Sequence, residues 1–172
     1  AVTSAFAGDD IKSYIGVQTN YNSFQNSVIE KTINTENTLG GGIYGGVDFN
    51  KLFSIEFGYG YYGYRNANEQ ASYGLDVYVK ESLPLSKSTS LNFGVGTYFD
   101  NYDFHPAAVI GFSYQLSNAL ALDFSYKYFV NAFDTGYENQ DISSINLGLN
   151  YRFGHKGDKQ VKKVIEPVVA QE

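Results

Sequence analysis

The segment near the end of this chain, Ile145-Asn146-Leu147-Gly148-Leu149-Asn150-Tyr151-Arg152-Phe153-Gly154, alternates apolar residues with polar ones or glycine. A period of two sends every apolar side chain to one face of an extended strand and every intervening one to the other. The same two-faced pattern recurs in segments of about ten residues, the length a tilted strand needs to cross a lipid bilayer.

Counting the final segment, eight such strands are predicted. Ser13–Tyr21 sets Ile15, Val17 and Tyr21 against Tyr14, Gly16, Gln18 and Asn20. Thr38–Phe49 sets Leu39, Ile43, Val47 and Phe49 against Gly40, Gly42, Tyr44, Gly46 and Asp48. After Asn50-Lys51, Leu52–Tyr64 sets Phe53, Ile55, Phe57, Tyr59 and Tyr61 against Ser54, Glu56, Gly58, Gly60 and Tyr62, which makes a hairpin with the preceding strand. Tyr73–Leu83 carries Asp76, Tyr78 and Lys80 on its polar face and stops at Pro84, which lacks a ladder donor. Leu91–Phe99, Ala108–Leu116 and Leu120–Val130 repeat the pattern, the last with Asp123, Ser125 and Lys127 on its polar face.

The connections read as unequal. Short turns at Asn50-Lys51, Pro84–Thr89 and Ser117-Asn118 alternate with longer segments at Asn22–Asn37, Arg65–Gln70, Asn101–Pro106 and Asn131–Asp141. One tight rim and one loopy rim is the asymmetry of an antiparallel up-and-down barrel whose turns face the periplasm and whose loops face outward.

Alternation alone cannot say which face is inside, since a soluble lipid-carrying barrel would turn the apolar face inward. Other features decide for the polar face. It is crowded with glycine and with Asp48, Glu56, Asp76, Lys80, Asp123, Lys127 and Arg152, while Phe49, Phe53, Tyr61, Phe99, Tyr128, Tyr151 and Phe153 lie near strand ends on the apolar face. Aromatics at both edges suit interfacial girdles, lumenal charges can pair, and closure removes every sheet edge. The fold class is all-β, an eight-stranded antiparallel up-and-down transmembrane β-barrel.

Composition agrees. Tyr (16), Phe (13) and Gly (18) stand against no Trp, Met or Cys, a mixture weighted toward strand formers. A mean hydropathy of -0.27 would pass for a soluble protein, but a barrel hides its apolar residues by alternation. Absent cysteine removes disulfides and thiolate metal sites, and no cofactor or metal is implied. Residues 1–154 carry 8 Lys+Arg against 15 Asp+Glu, and residues 155–172 carry 4 against 3, so no basic stripe invites nucleic acid. Ala5-Phe6-Ala7 fits the small-x-small rule for signal cleavage. Residues 1–7 read as a signal remnant or a flexible N-terminus, 8–154 as the barrel and 155–172 as a periplasmic linker or tail.

Two blocks resemble a known family. Leu39-Gly40-Gly41-Gly42-Ile43-Tyr44-Gly45-Gly46 continuing to Ile55-Glu56-Phe57-Gly58-Tyr59, with Leu147-Gly148-Leu149-Asn150-Tyr151-Arg152-Phe153-Gly154, is similar to the N-terminal transmembrane domain of the OmpA family, over about Tyr14 to Gly154. The resemblance implies residence in the outer membrane of a Gram-negative bacterium among lipopolysaccharide and other lipids. It implies assembly by the β-barrel insertion machinery, which reads the final strand through Leu147, Leu149, Tyr151 and Phe153. Roles in envelope integrity, surface adhesion and a narrow pore follow from it too. In the family a lumenal glutamate pairs with a lysine on the next strand or switches to a distant arginine. Glu56 and Lys80 match the first two positions, whereas Asn139 and Ser125 stand where the arginine and its acidic partner would be. Longer members continue through a Pro/Ala-rich hinge, which Glu166-Pro167-Val168-Val169-Ala170 resembles.

Eight strands leave a lumen that side chains just fill, so the seven lumenal charges are first a packed polar core, and second a constriction in which Glu56 and Lys80 gate small solutes. An enzyme is not expected: His155 lies in the tail, and His105 is read in a short loop beside Asp103 and Pro106, an incidental pairing. Asn22–Asn37, with Val28, Ile29 and Ile33, is a solvated segment or an adhesive surface for extracellular ligands. Lys156–Lys163 is a solvated linker or touches anionic lipid heads or cell wall.

Overall fold

The computed structural model describes residues 11–26, 37–65, 70–100, 103–134 and 139–153. Eight strands follow in chain order: β1 (Lys12–Asn26), β2 (Asn37–Asp48), β3 (Phe53–Arg65), β4 (Gln70–Pro84), β5 (Thr89–Phe99), β6 (Phe104–Gln115), β7 (Leu120–Asp134) and β8 (Asn139–Arg152). Each pairs antiparallel with its sequence neighbour, and β1 pairs with β8 from Tyr14↔Arg152 to Asn26↔Gln140, closing the barrel. Closure satisfies the backbone donors and acceptors that would be costly at a sheet edge in hydrocarbon.

Three turns at the end where β1 begins and β8 finishes share one device. Residues 49–52, 85–88 and 116–119 each carry an Asn or Ser in second place, Asn50, Ser86 and Ser117. Its side-chain oxygen accepts the backbone N–H groups two and three residues on, at 2.7–3.3 Å. These short polar side chains stand in for a backbone acceptor, which is why they punctuate strands.

The opposite end, here the loop end, corrects the predicted boundaries. β1 runs to Asn26 rather than Tyr21, β6 begins at Phe104 rather than Ala108, β7 runs to Asp134 rather than Val130, and β8 begins at Asn139 rather than Ile145. The ladder continues past the point where hydropathy stops alternating, because backbone pairing does not require one face to meet lipid. Three of the expected long loops accordingly shrink to residues 66–69, 100–103 and 135–138, as short as the turns, and only 27–36 is longer. The expected contrast of a tight and a loopy rim is thus a contrast of strand overhang. Phe49 falls in a turn rather than on β2.

The polar face is inside. Val95, at 70% exposure, and Ile15, Val17, Ile43, Phe57, Val79, Ile110, Phe124 and Leu147 point outward as one apolar band, while Tyr78, Asp76 and Lys127 beneath it are buried. This excludes the lipid-carrier alternative, whose apolar face would line the cavity. At the turn-end edge Tyr151 and Phe153 meet edge to face at 5.1 Å. At the loop-end edge Phe99 lies 4.6 Å from Phe104, and Tyr73 lies between Tyr59 and Tyr61. Outward Tyr128 spends its hydroxyl on Asp141.

Inside, small residues make room for large ones. A side chain at Gly16 would meet the Tyr44 ring at 2.5 Å, and one at Gly46 the Tyr14 ring at 2.6 Å. A bulge between Tyr61 and Gly63 sets Gly63 at φ 106°, a left-handed conformation that only glycine adopts without strain.

Candidate functional site

The lumen is layered. At the turn end Arg152 Nη1 donates to Asp48 Oδ2 at 2.8 Å, a half-exposed pair, and the guanidinium lies over the Tyr14 ring. Next comes Asp123, whose carboxylate accepts from the Tyr44 hydroxyl (2.6 Å), Asn150 Nδ2 (2.5 Å) and the Ser113 hydroxyl (2.5 Å). A relay extends it, Ser82 donating to Asn92 and Asn92 to Ser113.

Deeper, Glu56 Oε2 accepts from Lys80 Nζ and from the Tyr14 hydroxyl, each at 2.7 Å. In the ladder Glu56 is opposite Tyr78, and Lys80 opposite Ser54, so the lysine reaches diagonally along the lumen to its partner. Deeper still, Asp76 Oδ2 accepts from Lys127 Nζ at 2.7 Å and from the Tyr62 hydroxyl at 3.1 Å, with the Lys127 ammonium over the Tyr78 ring. Both charges of this pair are sealed from solvent, side-chain exposures being 1% and 0%. Charges so deep persist only when paired, and here both donors converge on Oδ2 while Asp76 Oδ1 is left without a partner.

The last layer is apolar. Tyr62, Tyr98 and Phe129, from β3, β5 and β7, pack with ring centroids 4.6–5.5 Å apart at zero exposure. Phe24, Ile142 and Ala132 join them in a buried cluster that also takes in Tyr78, Ala107 and Val109, filling the barrel toward its loop end. Between this plug and the turn end the polar layers leave a cavity of about 20 Å³, lined in part by Gln18, Glu56, Lys80 and Asp123. That is room for one or two water molecules.

All seven lumenal charges expected from the sequence therefore line the interior, and the structure brings six of them together as Glu56–Lys80, Asp76–Lys127 and Asp48–Arg152. Asp123 is held by neutral donors instead. The residues of the final strand, Leu147, Leu149, Tyr151 and Phe153, are exposed on the outer band. His105 is corrected from a loop to an inward position on β6, buried, with its ring 6.2 Å from Tyr98 and its Nε2 3.5 Å from Asp100. The tail lysines, His155 and the 27–36 segment lie outside the described residues.

Sequence reasoning missed the tyrosines. Tyr14, Tyr44 and Tyr62 each donate a hydroxyl to a lumenal carboxylate, and Tyr62 also belongs to the plug. The available signal was tyrosine on the glycine-rich polar face, where a bulky ring needs a small neighbour, here the residue opposite it in the ladder, as Gly16 is to Tyr44 and Gly46 to Tyr14.

A closed ladder, an outward apolar band and a packed polar interior define an integral membrane protein of the β-barrel class. A sequence model of the OmpA-like transmembrane domain matches residues 7–157, and the chain belongs to that family. Curated protein sequences give no match. Solved barrels share the fold at low identity. The attachment invasion locus protein Ail of Yersinia pestis is 13% identical with a TM-score of 0.57, the alignment covering 84% of this chain and 100% of Ail. Neisserial surface protein A is 13% identical with a TM-score of 0.56, covering 81% and 96%. A de novo designed transmembrane β-barrel is 19% identical with a TM-score of 0.53, covering 82% and 94%.

Proposed function

We propose that this chain is a non-enzymatic outer-membrane barrel of a Gram-negative bacterium that anchors and stabilises the envelope and presents its loop end to the outside, with a lumen closed to solutes. The carrying observation is the stack of a solvent-excluded ion pair, Asp76–Lys127, beneath an aromatic plug. On this reading the lumenal charges are a structural core. Lipopolysaccharide and phospholipid would solvate the outer band, and the insertion machinery would read the final strand ending at Tyr151 and Phe153. An adhesive role would fall to the 27–36 connection, the longest in the chain.

A second reading keeps Glu56–Lys80 as a gate, favoured by the direct 2.7 Å contact and by a second ion pair, Asp76–Lys127, deeper in the same lumen. Single-channel conductance of the refolded protein in a planar bilayer separates the two. The closed reading expects silence from the native chain and from Lys80→Ala, because the plug remains, and openings from Phe129→Ala. Discrete openings of the native chain that grow in Lys80→Ala would replace it with the gated pore.

A further inference from the structure

The turn end differs from the rest of the interior in being open. A concavity of about 370 Å³ lies in its mouth, lined by Lys51 and Lys87 from two turns, Ser86 and Ser88 beside them, Ser113 of β6 and Arg152 of β8. Its lining holds three cations and no acid. Among the described residues neither Lys51 nor Lys87 joins a salt bridge. Arg152 uses Nη1 on Asp48, which leaves further guanidinium donors. Ser86 accepts backbone N–H groups through its oxygen and keeps its own O–H to donate.

Beneath this well the Asp123 carboxylate already accepts from three neutral donors, the Tyr44 and Ser113 hydroxyls and Asn150 Nδ2. The well is also lined by residues that face into the barrel, Ser113 and Arg152, so it opens along the barrel axis. Its volume is at the small end of the range for organic ligand sites, larger than a bare ion needs. Lysines as point charges, an arginine fork and hydroxyl donors together suit a phosphate oxygen cluster.

We propose that the turn-end mouth is a binding site for a small phosphate-bearing anion, held by Lys51, Lys87 and Arg152 with serine hydroxyls beside them. The chemistry is shared by a soluble phosphate ester and a phospholipid headgroup. The site reaches only to Arg152 and Ser113 of the outermost polar layers and lies at the opposite end of the lumen from the plug, so it stands apart from the question of conduction.

The test is amide NMR of the refolded chain in uncharged detergent micelles at low ionic strength. One arm adds glucose 6-phosphate, with glucose as control, and the other dopes the micelles with phosphatidylglycerol. The expected result is saturable shifts at the 85–88 amides in at least one arm, which also names the source. The double variant Lys51→Gln/Lys87→Gln should weaken that response at least about tenfold, the loss expected from removing charge-assisted hydrogen bonds. Arg65→Gln, at the loop end, should leave it within about twofold. No saturable response in either arm below about 10 mM, or an undiminished response in the double variant, would overturn the site. Retention of the native β-barrel spectrum in the double variant, which alters only turn residues, keeps a negative result from being read as misfolding.

Discussion

The two ends of the lumen solve the same filling problem in opposite ways. At the loop end, rings and aliphatic side chains exclude water, and the Asp76–Lys127 pair sits directly against them. At the turn end, Asp48–Arg152 is partly solvated and borders an open well. An interior ion pair is thus not one kind of interaction here. The surroundings set its worth: a solvent-excluded pair loses heavily when one partner goes, whereas a rim pair exchanges its partner for water.

That comparison predicts a gradient along the axis. Lys127→Ala should be the costliest change, destabilising the barrel by about 3–5 kcal/mol because Asp76 is left charged and buried. The midpoint of urea unfolding in lipid vesicles measures it. Halfway along, Tyr14→Phe removes one of the two donors to Glu56 while Lys80 stays, and about 1.5–3 kcal/mol should be lost by the same assay. At the mouth, Arg152→Gln should cost no more than about 1 kcal/mol. Equal losses for Lys127→Ala and Arg152→Gln would break the comparison and mean that water reaches the plug. A loss at Tyr14 matching that at Lys127 would move the dry boundary toward the turn end.

Much of this was legible in the linear pattern. The alternation in Leu120–Val130 or Ile145–Gly154 assigns each side chain to a face, because successive Cβ atoms of a strand must point to opposite sides. The charges sharing one face followed from that, and the edge aromatics with the glycine and charge on the other face told which side was lumenal and turned the final strand's apolar residues outward. The overhang of β1 and β8 beyond the apolar band was not legible, since pairing of Asn26 with Gln140 leaves no hydropathic trace. His105 was misplaced for the same reason. It precedes Pro106 in a short polar stretch that reads as a loop, yet Pro106 points its ring outward from β6 and the ladder passes through.

Which charge met which was a different matter. Periodicity put Glu56, Asp76, Lys80 and Lys127 on one face but could not pair Asp76 with Lys127, which lie 51 residues apart on β4 and β7. Nor could it collect Phe24, Tyr62, Tyr98, Phe129 and Ile142 from five strands into one plug. By itself the sequence determined the strands, their two faces and the membrane-spanning barrel, because these depend on local periodicity and on the need to satisfy every backbone group. The tertiary structure alone decided the ion-pair partners, the dry loop end and the open turn end. Those depend on how closure and stagger bring distant strands to the same height in a narrow lumen.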